Sequence, residues 1–190
     1  MTIKVMLVED DPFWQTHIAG DLSRQSDIEV VCTASTKEEC LNMVRSCPDI
    51  DVVLMDINLT ENQLDGLDAA REIRQLPHNA KVVMLTSLQE AEVIVRSFQC
   101  GAANFINKSS LNDVVQAIRD VHANRSAIHS DAASTLIHEI QLMVLTPMER
   151  QVYELREQGM NKNEIAQMLH KSFNTVKSQL KSIRNKLVIR

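Results

Sequence analysis

The chain has 190 residues, enough for one domain of ordinary size and a second small one. Its four cysteines, Cys32, Cys40, Cys47 and Cys100, form no CxxC or Cys/His pattern, which argues against a zinc site or a disulfide framework and for buried thiols in a reducing compartment. A net charge of −5 hides an asymmetry: residues 1–144 hold 11 Lys/Arg against 21 Asp/Glu, whereas residues 145–190 hold 9 against 4. An acidic body followed by a small basic segment points to two domains with different partners, the second suited to nucleic acid. The amino terminus lacks signal-peptide character, and no run reaches the roughly 18 apolar residues of a membrane helix. The expectation is a cytoplasmic protein with no membrane partner.

In chain order, Ile3–Val8 reads as a strand ending at Glu9-Asp10-Asp11, and Pro12 opens a helix from Phe13 to about Gln25. Ile28–Ala34 is the next strand; Ser35 or Thr36 caps a helix to Ser46. Val52–Met55 is a strand that ends at Asp56, and a polar loop leads to Asp65-Gly66 and a helix through Leu76. Lys81–Leu85 is a strand ending at Thr86, followed by a helix over Gln89–Cys100 that Gly101 closes in the left-handed conformation. Ala103–Ile106 is a fifth strand before Lys108, and Ser110 caps a helix from Leu111 to about Ala123.

Five βα units with apolar strands predict an α/β fold, a doubly wound parallel sheet with helices on both faces. Within 124–144, Ser130 is placed to cap a connector helix from Asp131 to Val144. Thr146 caps a helix over Pro147–Gly159, Asn161 and Glu164 form a capping box for one running to about His170, and Ser172 caps a third over Phe173–Leu187. The last two, joined by a tight turn, give a small all-α helix-turn-helix domain. The expected organisation is therefore 1–123, a linker at 124–144, and 145–190.

Ligands of doubly wound sheets bind beyond the carboxyl ends of the strands. There the chain places Glu9, Asp10, Asp56, Thr86 and Lys108. Clustered carboxylates repel unless a cation joins them, and hard oxygen donors with room for water suit Mg²⁺. An ionised aspartate beside Mg²⁺ is a nucleophile for phosphoryl transfer; Lys108 neutralises a phosphoryl oxygen and Thr86 donates a hydrogen bond to another. A phosphatase that turned over an aspartyl-phosphate would need a second acid two residues after Asp56, where Asn58 stands.

On these residues, 1–123 resembles the flavodoxin-like receiver domain of two-component response regulators. Val8-Glu9-Asp10-Asp11 is similar to its acidic pair, Met55-Asp56 to its phosphoacceptor, Thr86-Ser87 to its switch hydroxyl, and Lys108 to its lysine. The resemblance implies Mg²⁺ held by Asp10, Asp56 and the Asn58 carbonyl, with Glu9 acting through water. It implies Phe105 as the aromatic switch, a sensor histidine kinase as phosphodonor, and no enzymatic turnover. Leu59-Thr60 replaces the family's Met-Pro, the spacing from Asp56 to Gly66 is ten residues rather than the shorter usual one, and Ser109 follows Lys108 in place of proline.

Leu145-Thr146-Pro147-Met148-Glu149-Arg150 and Gly159-Met160-Asn161-Lys162-Asn163-Glu164-Ile165-Ala166 resemble the LuxR/NarL/FixJ type of output domain, as does Ser172 to Lys177. Val176, Leu180, Ile183 and Leu187 make the buried stripe of the third helix. The resemblance makes that helix the reader of double-stranded DNA: Lys177, Ser178 and Lys181 face bases, Lys171 and Arg184 meet phosphates, and Thr175 adjoins them. Lys162 and Lys186 are further phosphate candidates. Gln179 stands where the family has His. A homodimer on activation is expected, with receiver–receiver contact supplying most of the association.

Overall fold

A computed structural model describes residues 2–60, 64–88, 90–125 and 128–187. The chain forms two compact units, Met1–Thr135 and Leu136–Arg190. The first contains β1 (Ile3–Val8), α1 (Pro12–Ser23), β2 (Ile28–Ala34), α2 (Lys37–Ser46), β3 (Val52–Met55), α3 (Asp65–Gln75), β4 (Lys81–Thr86), α4 (Ala91–Gln99), β5 (Asn104–Asn107) and α5 (Val114–His122). The strands make one parallel sheet in the order β2-β1-β3-β4-β5. The order reverses between β1 and β3, so a crevice opens at their carboxyl ends.

β1, β3 and β4 are buried almost throughout, as a sheet covered on both faces requires. Leu7, Leu54, Val83 and Ile106 turn one face toward Ile18 and Leu22 of α1 and Val114, Ile118 and Val121 of α5. Alternation sends Met6, Val53, Met55, Met84 and Phe105 to the other face. β2 departs from the two-sided apolar expectation: it is an edge strand, with Glu29, Val31 and Thr33 exposed in alternation.

The caps follow side-chain chemistry. Asp11 caps α1 by accepting from Phe13 N, with Pro12 at the first helical position, and Thr36 rather than Ser35 caps α2. Gly101 has φ +103° and closes α4. The start expected for that helix, Gln89, lies outside the described residues. Ser110 is not a cap. Lys108–Asp113 forms a 3₁₀ stretch, because the Asn107 side chain accepts from Ser109 N and starts the turn earlier. Lys108–Ser109 is trans, like every described peptide bond.

The connector is helix α6 (Ser130–Leu142), with Ser130 inside it rather than before it. The second unit continues with α7 (Pro147–Glu157), α8 (Lys162–Met168) and α9 (Phe173–Leu187). Thr146 with Glu149 and Asn161 with Glu164 form capping boxes. The turn after α8 passes through His170 at φ +50°, which ends that helix sooner than its sequence suggests. Val152, Ile165, Val176 and Ile183 form a small core with Leu142 and Leu145, and Leu180 and Leu187 pack against it.

Candidate functional site

Asp56 follows β3 directly, and its N–H donates to the Val8 carbonyl at 2.9 Å, which fixes it beside the end of β1. Its Oδ1 accepts from Ile57 N at 2.7 Å and its Oδ2 from Lys108 Nζ at 2.9 Å. Lys108 Nζ also lies 2.9 Å from Glu9 Oε1 and 2.7 Å from Oε2. All three residues are buried: Glu9 is 1% exposed, Asp56 6% and Lys108 7%. Lys108 therefore bridges the two carboxylates, a pairing that sequence reading, which assigned Glu9 a contact through water, did not foresee.

Asp10 is exposed, and oxygens of Glu9, Asp10 and Asp56 lie within 4.8 Å of one another. With all three ionised, one lysine leaves an excess of two negative charges, which a divalent cation matches. Asn58 Oδ1, two residues after Asp56, is buried without a hydrogen-bond partner in the structure. The donor set thus fits Mg²⁺, and the cation would screen the carboxylates and an incoming phosphoryl group.

Burial pushes the Glu9 carboxyl up to about 7; the hydrogen bond from Lys108 opposes that and the charge of Asp56 reinforces it. For Lys108, burial favours the neutral amine, but hydrogen bonds and charge from Glu9 and Asp56 outweigh it and raise the group above its ordinary value.

Thr86 ends β4, 2% exposed, with Oγ1 accepting from Leu88 N at 3.3 Å. Phe105 is 1% exposed within β5. Two site residues were missed. Trp14 places its ring 5.4 Å from Lys108 Nζ, and Asp65 accepts from Leu59 N at 3.0 Å and Thr60 Oγ1 at 2.8 Å, tying down the segment after Asp56. The extra length between Asp56 and Gly66 is the signal for such a tether. Gly66 is obligatory in its own way: a Cβ there would lie 2.0 Å from the Asp56 carbonyl oxygen.

In the second unit, Lys171, Lys177, Ser178, Lys181 and Arg184 are exposed on or before α9. Thr175 is half-buried; its Oγ1 lies 2.8 Å from Ser172 Oγ at the cap, and Ser178 Oγ donates to the Thr175 carbonyl at 2.8 Å. A groove of about 660 Å³ is lined by Lys162, Lys177, Lys181, Arg184 and Arg156, the last not singled out from sequence. Lys186 is corrected: it pairs with Glu149 Oε2 at 2.6 Å and is structural rather than a free phosphate contact.

The fold and crevice define a doubly wound α/β domain with an acidic strand-end site, joined to a helix-turn-helix unit. Residues 5–119 match the response regulator receiver domain, and residues 143–190 match the bacterial regulatory proteins of the luxR family. The chain belongs to the response regulators, with a LuxR-family domain after its receiver. It is similar to the response regulator protein VraR of Staphylococcus saprophyticus, at 29% identity over 195 residues, covering 100% of this chain and 92% of that protein. Among solved structures it resembles RcsB of Salmonella typhimurium, with a TM-score of 0.68 and 21% identity over 100% of this chain and 93% of that one. An RcsB–DNA complex gives a TM-score of 0.71 at 20% identity, covering 100% and 94%. A LuxR-family regulator from Aurantimonas sp. gives 0.66 at 29%, covering 73% and 98%.

Proposed function

We propose that Asp56 accepts a phosphoryl group from a sensor histidine kinase and that this modification controls binding of double-stranded DNA by the carboxyl-terminal unit. The observation that carries the reading is Lys108 Nζ held between Glu9 and Asp56 at the strand ends. The Asp56 carboxylate attacks phosphorus and the donor's leaving group departs. Asp10, Asp56 and the Asn58 carbonyl, with Glu9 through water, would hold Mg²⁺, which would offset the charge there. Lys108 and Thr86 then face the phosphoryl oxygens, and Phe105 repacks with Thr86. The aspartate is modified rather than turned over, so the protein acts as a switch and not as an enzyme.

On DNA, Lys177, Ser178 and Lys181 face base edges, while Lys171 and Arg184 meet phosphates and Thr175 supports the helix start. The basic groove on α9 and the likeness to a regulator solved on DNA support this assignment. Phosphorylation favours a homodimer. Among the described residues no helix is long and apolar enough to cross a membrane. Incubation with Mg²⁺ and a small phosphodonor, read by intact mass, should add one acid-labile phosphoryl group to the wild type and none to Asp56→Asn. A gain in the variant would reject the assignment.

A further inference from the structure

A chain of hydrogen bonds leads out of the crevice and ends on the connector helix. Thr86 Oγ1 accepts from Leu88 N at 3.3 Å, the Leu88 carbonyl accepts from Asn107 Nδ2 at 3.2 Å, and Asn107 N donates to Asp131 Oδ2 at 2.9 Å. Asn107 is 5% exposed, pairs with Thr86 in the β4–β5 register, and directly precedes Lys108. Asn107 Oδ1 is engaged as well, accepting from Ser109 N and Oγ. It therefore touches both the switch hydroxyl's support and the lysine's backbone.

Asp131 belongs to the first turn of α6, and that turn is seated at both ends of β5. His129 N donates to Asn104 Oδ1 at 3.0 Å at the strand's start, while Asp131 holds Asn107 at its end. Ala132, next after Asp131, is fully buried, and His129 Nε2 lies 3.1 Å from Asp113 Oδ2. The seam is not packed solid. A cavity of about 290 Å³, lined by Ile94, Phe105, Asn107, Asp131 and Thr135 among others, lies against the aromatic ring.

We propose that Asp131 is a positioning residue for the phosphoacceptor site, acting through Asn107, and that its grip on Asn107 opposes phosphorylation. This rests on the reading of Asp56 as the phosphoacceptor. A phosphoryl group at Asp56 draws the Thr86 hydroxyl toward it and away from Leu88 N. Leu88 and Asn107 then shift together, the Asn107–Asp131 bond weakens, and the first turn of α6 loosens from β5. The cavity beside Phe105 gives that movement room. Because coupling between two sites is reciprocal, releasing Asp131 must in turn favour the phosphorylated arrangement.

The test uses the full chain with Mg²⁺ and beryllofluoride, a phosphoryl mimic, reading binding by Trp14 fluorescence and the α6 seam by hydrogen exchange over residues 129–135. In the wild type, mimic binding should lower protection of that segment. Asp131→Ala removes the bonds from Asn107 N and Ser110 Oγ and the pairing with His129; it should lose the protection without mimic and bind the mimic about three- to tenfold more tightly. Asp131→Asn keeps an acceptor for Asn107 N and should stay near wild type in both readouts. Protection that does not change although the mimic binds, or unchanged mimic affinity in Asp131→Ala, overturns the proposal while leaving the phosphoacceptor reading intact. Absence of any mimic binding to the wild type overturns both.

Discussion

Glu149 at the start of α7 joins α9 twice, accepting from Lys186 Nζ and from Ser182 Oγ, each at 2.6 Å. The Thr146 backbone N–H is a third donor, at 2.8 Å. Bonds from Lys186, Ser182 and Thr146 hold the carboxyl at about 2, far below its ordinary 4.5. A carboxyl depressed by folding adds stability that is present above the unfolded value and lost as pH falls through the folded one. The stability of the full chain against denaturant, followed by Tyr153 fluorescence, should therefore fall as pH drops from about 4.5 toward 2. Glu149→Gln should flatten that dependence; an equal slope in both proteins would discount the helix–helix latch.

Lys108→Met should destabilise the first unit by about 3–5 kcal/mol without divalent ions, since removing one partner of a buried ion pair strands the other charges. Mg²⁺ should recover part of the loss by replacing the missing positive charge between Glu9 and Asp56. Urea unfolding in chelator and in Mg²⁺ measures both; the same deficit in each would argue against a shared cation site.

Asp10→Ala should abolish the Mg²⁺-dependent change in Trp14 fluorescence. The indole lies against Lys108, whose ammonium feels any cation entering the carboxylate cluster. An unchanged titration would remove Asp10 from the metal site.

Gly66→Ala should cost about 1–3 kcal/mol by overpacking and slow phosphorylation, because the added methyl collides with the Asp56 backbone. Denaturation midpoints and phosphodonor time courses should move together. Normal phosphorylation in a destabilised variant would separate the two effects.

Lys181→Ala should lower discrimination between operator and random DNA, whereas Lys171→Ala should weaken both equally and reduce the salt slope by about one. Lys186→Ala should instead lower stability and leave that slope unchanged, because its ammonium is already paired with Glu149. A salt-slope change in Lys186→Ala as large as that of Lys171→Ala would reverse this division.

The repeating βα pattern, the strand-end acids and the capping motifs were legible because each is a local signal. Asp56, Thr86 and Lys108 stand at strand ends whatever the loops between them do. The pairings that organise the site were not legible, because they join residues far apart in sequence: Lys108 reaches Glu9 across 99 positions, and Lys186 reaches Glu149 across 37. Asn107 shows the same limit on a smaller scale. As an ordinary polar residue before Lys108 it predicts nothing, yet its side chain displaces Ser110 as the cap of the following turn. Asp131 read as the first residue of a connector helix, and only the folded sheet reveals the backbone donor it meets.

Edge strands of a sheet offer unpaired backbone groups to any extended chain nearby. This sheet protects its two edges by different means. β2 alternates exposed residues that include the charged Glu29, whereas β5 is only four residues long and surrenders its last N–H to a carboxylate from the connector. The contact that seats α6 is thus also a guard against a sixth strand. A mutation that frees the connector would do two harms at once, biasing the signal and baring an adhesive edge, so the acceptor at position 131 serves solubility as well as regulation.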